Sequence, residues 1–110
     1  MEKWVLVAET SCAIPARDEE YNHWYNTIHI PDVLETPGIL RATRYENNEP
    51  PEGHGKYITI YDIETEDIDK LINTFSEIVT VKWEQGRMSE LVAPVFAAFY
   101  KQMAPHIESK

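Results

Sequence analysis

Thiols, glycines and cations are all scarce in this chain, and each scarcity removes a class of function. A single cysteine, Cys12, permits neither an intrachain disulfide framework nor a thiolate metal cluster, so a reducing, cytoplasmic setting is expected. The four glycines form no phosphate-cradling loop, and neither a GxSxG elbow nor a kinase-type motif is present. Ten Lys and Arg stand against nineteen Asp and Glu, a net charge of −9 spread over both halves, which repels a phosphate backbone. Nucleic acid is therefore not an expected partner; Arg41 and Arg44 are too few for a binding stripe. Long apolar runs are missing as well. Trp4 to Ala8 falls far short of the ~20 residues that span a bilayer, and no membrane association is expected.

What is present fits one domain over residues 1–110, with 43% hydrophobic and 26% charged residues. Lys3 to Thr10, Ile39 to Glu46, Lys56 to Glu64 and Leu91 to Lys101 have strand composition. Pro15 and the acidic Asp18, Glu19 and Glu20 open a helix whose stripe is Tyr21, Trp24, Tyr25 and Ile28. Ile30 precedes Pro31, which predicts that this helix ends there. A second helix, N-capped by Thr65, carries Ile68, Leu71, Ile72, Phe75, Ile78 and Val79 on one face and stops at Gly86. The order β-α-β-β-α-β predicts a ferredoxin-like α+β fold, a four-stranded antiparallel sheet with both helices on one face.

The strands carry a further message. Val5 and Val7 alternate with Trp4 and Leu6, Ile58 and Ile60 with Tyr57 and Tyr61, and Phe96 and Tyr100 with Val95 and Phe99. Both sheet faces are apolar, yet two helices cover only one. The simplest cover for the other is a second copy, which predicts a homodimer packed sheet to sheet.

Function points to the run from Tyr21 to Tyr45. His29 lies about 80° of helix rotation from Tyr21, at the margin of the apolar stripe, and four residues after Tyr25. An imidazole beside a phenol at a pocket rim suits general acid/base chemistry; equally, His29 can cap the helix end before Pro31. Arg41 and Arg44 point to opposite faces of their strand, so one can reach the interior to meet an anionic or phenolic ligand, or pair with a surface carboxylate. Glu9 and Asp62, set among apolar strand residues, are either edge carboxylates or tuned site groups. His23, His54 and His106 show no HxxxH or HxH spacing that would call for a metal.

The run Trp24-Tyr25-Asn26-x-x-His29-Ile30-Pro31-Asp32-x-Leu34-x-x-Pro37-Gly38, continuing through Ala42-x-Arg44-Tyr45, resembles the EthD-like group of dimeric α+β barrel proteins. Tyr57-Ile58-x-Ile60-Tyr61-x-Ile63-Glu64 is similar to that group's third strand. The resemblance implies a subunit dimerising through its sheets around an apolar interior, with His29 as the characteristic histidine, framed by Trp24 and Pro31. Related barrels include cofactor-free oxygenases, dehydratases, cyclases and lyases, and also accessory proteins of catabolic gene clusters.

The expectation is then a small homodimeric enzyme, needing no cofactor or metal, that acts on a hydrophobic aromatic or carbonyl-bearing molecule. His29 and Tyr25 are the candidate catalytic pair, and Trp24, Tyr57, Tyr61, Arg44 and Phe99 the candidate pocket. The rival is a non-catalytic binding or accessory protein using the same pocket. A histidine shifted by a neighbouring charge in a cleft favours catalysis; an unperturbed, exposed one favours the rival.

Overall fold

A computed structural model describes all residues, Met1–Lys110. Strands β1 (Glu2–Cys12), β2 (Ile39–Glu46), β3 (Tyr57–Thr65) and β4 (Val92–Lys101) form one antiparallel sheet in the order β2-β3-β1-β4. The register pairs Leu6 with Tyr61 and Phe99, so these three side chains share a face. On that face lie two adjoining clusters. Leu6, Val33, Ile39, Tyr61, Ile63 and Leu71 form one; Cys12, Tyr21, Tyr25, Tyr57 and Leu91 form the other. Burying a side chain of this size contributes about 1.5–3 kcal/mol each. The ferredoxin-like arrangement expected from the element order is the one observed.

The first helical segment departs from expectation in an instructive way. A 3₁₀ turn at Pro15–Arg17 leads into α1 (Asp18–Trp24), a π-helical turn (Tyr25–His29) and α2 (Ile30–Val33), one continuous rod. Pro31 does not end it; Ile30 keeps helical angles, φ −60° and ψ −49°. Proline removes one donor from the helical ladder, and its ring crowds the carbonyl four residues back. The π turn just before it, where the Ile30 N–H reaches the Tyr25 carbonyl, opens the ladder where the proline ring must fit.

The second long helix, α3 (Ile68–Glu84), is capped by Asp67, not Thr65: the Asp67 carboxylate accepts from the Lys70 N–H at 3.1 Å, while the Thr65 hydroxyl accepts from the Asp67 N–H. Asp67 wins because its backbone is the last extended residue before the helix. Gly86 at φ +74° ends the helix as expected. Gly38 is required by its surroundings, since at φ +98° a Cβ would lie 2.8 Å from the Leu71 side chain.

Of the remaining charges, Asp62 is an edge carboxylate, 2.8 Å from Arg41 on the sheet's open face, with both side chains well exposed. Glu9 instead ties down the loop before β3: it accepts from the Gly55 N–H at 2.5 Å and lies 3.3 Å from His54.

Candidate functional site

The π turn governs where the candidate histidine points. It inserts one extra residue into the helical count, so residues after it are rotated by about one position, roughly 100°. His29 thereby takes the inward place that Ile28 would hold in a regular helix. The mark of this is a stack between residues five apart: the His29 and Trp24 rings lie 5.0 Å apart, inclined by only 20°. Tyr25 meets His29 edge-on at 4.9 Å. Capping of the helix end, the other role open to His29, does not match this inward position.

Burial dominates the chemistry of that imidazole, lowering its pKa to about 4; Asp32 opposes the shift and Arg44 adds to it. His29 is thus neutral at physiological pH. Together with Tyr25, Thr10, Ala97 and Phe96 it borders an open cleft of about 340 Å³ beside the outer strand β4. The cleft owes its shape to a β-bulge, a register shift between Glu9 and Thr10 that leaves Val95 unpaired opposite β1.

Arg44 enters from β2. It stands opposite Thr59, so Tyr57 and Tyr61 are its diagonal neighbours on the helix-covered face. Its guanidinium lies over the Tyr25 ring at 4.2 Å and the Tyr57 ring at 5.0 Å, and its Nη1 donates to Asn26 Oδ1 at 3.1 Å. Its Nε and Nη2 are buried with no partner in the chain. Tyr61 Oη is in the same state: Tyr25 is close, yet outside hydrogen-bond geometry, and burial pushes the Tyr61 phenol far above its ordinary range. Tyr21, whose hydroxyl is 2.5 Å from that of Thr10, is pushed up to about 12, again chiefly by burial.

Two residues outside the candidate catalytic pair and pocket hold this arrangement in place. Asp32, 6% exposed, accepts a fork from Arg87, Nε at 2.7 Å and Nη2 at 3.0 Å. The Arg87 carbonyl in turn accepts from the Trp24 indole N–H at 2.9 Å, fixing the ring on which His29 stacks. Asp32 was visible beforehand only as a position of the EthD-like run; its partner, 55 residues away, left no signal.

The structure therefore brings together His29, Tyr25, Trp24, Arg44, Tyr57 and Tyr61. It does not bring Phe99 with them: that ring packs against Phe75 at 6.0 Å, under the other core cluster. His23 is exposed, His54 sits beside Glu9, and His106 lies in the exposed C-terminal tail.

Solved structures of other proteins share this frame. A provisionally assigned monooxygenase from Shewanella loihica PV-4 superposes with a TM-score of 0.60 at 16% identity, covering 96% of this chain and 99% of its own. A dimeric ferredoxin-like protein of unknown function from Thermobifida fusca YX gives 0.59 at 10% identity over 92% of each chain. An ethyl tert-butyl ether (EthD) family protein from Bacillus halodurans C-125 gives 0.54 at 12% identity, over 94% of this chain and 100% of its own. The fold they share with this chain is the ferredoxin-like α+β one. No family model matches the sequence, and no curated protein does. The EthD-like resemblance thus holds at the level of architecture, and at these identities the likeness carries fold alone. No helix is long and apolar enough to cross a membrane.

Proposed function

We propose that this EthD-like chain is a small homodimeric enzyme performing proton-transfer chemistry on a hydrophobic aromatic or carbonyl-bearing molecule. The observation that carries the reading is His29: neutral, stacked on Trp24, touching Tyr25 and bordering an open cleft. A neutral imidazole can take a proton from a carbon acid or a phenol and return it elsewhere, the step common to lyases, dehydratases, isomerases and cofactor-free oxygenation. Tyr25 orients the molecule through its phenol and an aromatic edge.

A dimer is supported by the open sheet face. Tyr45, Phe96 and Tyr100 are each about half exposed there (52%, 48% and 50%), alongside the half-buried Val5, Val7, Ile58 and Ile60. The His29 ring packs between sheet and helix, while its cleft reaches the open face at Phe96.

One observation favours the accessory-protein reading. The shift of His29 comes first from burial, and a group with a pKa of about 4 is a weak base. Native mass spectrometry of gently purified protein addresses assembly and ligand together, and His29→Ala turnover on the identified ligand addresses chemistry. A dimer carrying a ligand that wild type converts and His29→Ala retains unchanged supports the enzyme. A ligand carried but never converted supports the accessory protein, and a monomer removes the sheet-to-sheet dimer.

A further inference from the structure

We propose that the molecule this site accepts is an acid, bound through its carboxylate by the Nε/Nη2 edge of Arg44 with the Tyr61 hydroxyl beside it. The inference rests on the pocket reading above and narrows it to a substrate class. Three of the four arginines are paired with carboxylates: Arg17 with Glu20 and Glu90, Arg41 with Asp62, and Arg87 with Asp32. Arg44 has none, although the chain has nearly twice as many acidic as basic residues. Arg44 is half-buried, yet its Nε and Nη2 are shielded from solvent without a partner, and donors left so are costly.

The shape of the unpartnered edge is specific. Every other side of the Arg44 guanidinium is occupied: its plane by Tyr25 and Tyr57, its Nη1 by Asn26. Nε and Nη2 remain, two parallel donors matched to two coplanar oxygens. Arg87 demonstrates the match within this molecule, since the same two nitrogens grip both oxygens of Asp32. Tyr61 Oη, two residues along β3 from the partner of Arg44, supplies a third donor. The Tyr25 ring touches both the Arg44 guanidinium and the His29 ring, so an acid held on the free edge of Arg44 lies within one aromatic ring of the imidazole. Carboxylate at one end and proton transfer at the other define an aromatic or hydrophobic carboxylic acid.

The test is isothermal titration of the full chain with 2-naphthoate and with its neutral isostere 2-naphthamide, for wild type, Arg44→Lys and Tyr61→Phe. The expected result is naphthoate preferred over naphthamide by at least tenfold in wild type. Arg44→Lys, which keeps the charge and loses the fork, abolishes most of that preference, and Tyr61→Phe weakens naphthoate several-fold. Equal binding of acid and amide overturns the carboxylate assignment and leaves the pocket standing. Naphthoate binding unchanged in Arg44→Lys overturns the assignment to Arg44, and binding of neither probe overturns assignment and pocket together.

Discussion

Replacing His29 by glutamine should change how stability depends on pH, and by an amount the structure fixes. An unfolded histidine titrates near 6.5, whereas the folded imidazole is held at about 4, principally by burial. Above pH 6.5 both states are neutral and the residue contributes nothing to the pH dependence. Between 6.5 and 4 the unfolded chain takes up a proton that the folded one refuses, so stability falls with pH, and below 4 the loss levels off. By pH 4.5 linkage gives a loss of about 2.5 kcal/mol, because one pH unit corresponds to ~1.4 kcal/mol. Carboxylates titrate in both proteins alike, so the difference between wild type and His29→Gln isolates this group. Urea denaturation at pH 7.5, 6, 5 and 4.5, at one fixed protein concentration, reads it out. The wild type should lose about 2.5 kcal/mol relative to the variant across that range. Parallel curves would mean that His29 titrates normally in the folded state, and the buried neutral imidazole would have to be abandoned.

Three further outcomes follow from the packing. Arg87→Ala leaves the Asp32 carboxylate buried with only Lys82, at 3.9 Å, as a nearby cation. Because Arg87 is itself 42% exposed, the cost should fall short of that of breaking a fully buried pair, read as a lower urea midpoint with unchanged slope. Tyr61→Phe removes a buried hydroxyl without a partner and should leave stability unchanged or raise it by up to ~1 kcal/mol; a marked loss would show that the hydroxyl is bonded after all. Gly38→Ala should cost about 2 kcal/mol or more, because the φ of +98° and the Leu71 contact are both incompatible with a Cβ, and a thermal melt matching wild type would refute that.

How much of this was legible beforehand divides by the range of the interaction. Strand alternation and the stripe on α3 are local patterns, and they led correctly to the sheet and its helix layer. Tyr25, His29 and Trp24 share one rod and could be grouped by spacing. Strand alternation separates Arg44 from Arg41 without saying which face is covered; the candidate pocket took Arg44, and Arg44 is the one on the helix-covered face. Phe99 was placed in the candidate pocket as an aromatic of the last strand; register instead sets it opposite Leu6, against Phe75. The Asp32–Arg87 fork joins distant segments, and no periodicity encodes such a pairing. Pro31 misled because the rule for the residue before proline assumes a regular α-helix upstream, and a π turn relaxes that premise.

That single π turn sets backbone economy against the site. Deleting one residue from Tyr25–His29 would restore an unbroken 3.6-residue helix up to Pro31, which by itself is the more regular structure. The same deletion would rotate everything beyond it by about 100°, unstacking the histidine from Trp24 and swinging Asp32 away from Arg87. The length of this segment is thus as much a determinant of the site as the identity of any side chain in it. Substitutions leave that count intact; a one-residue deletion or insertion changes it, and the imidazole and the carboxylate would be displaced together.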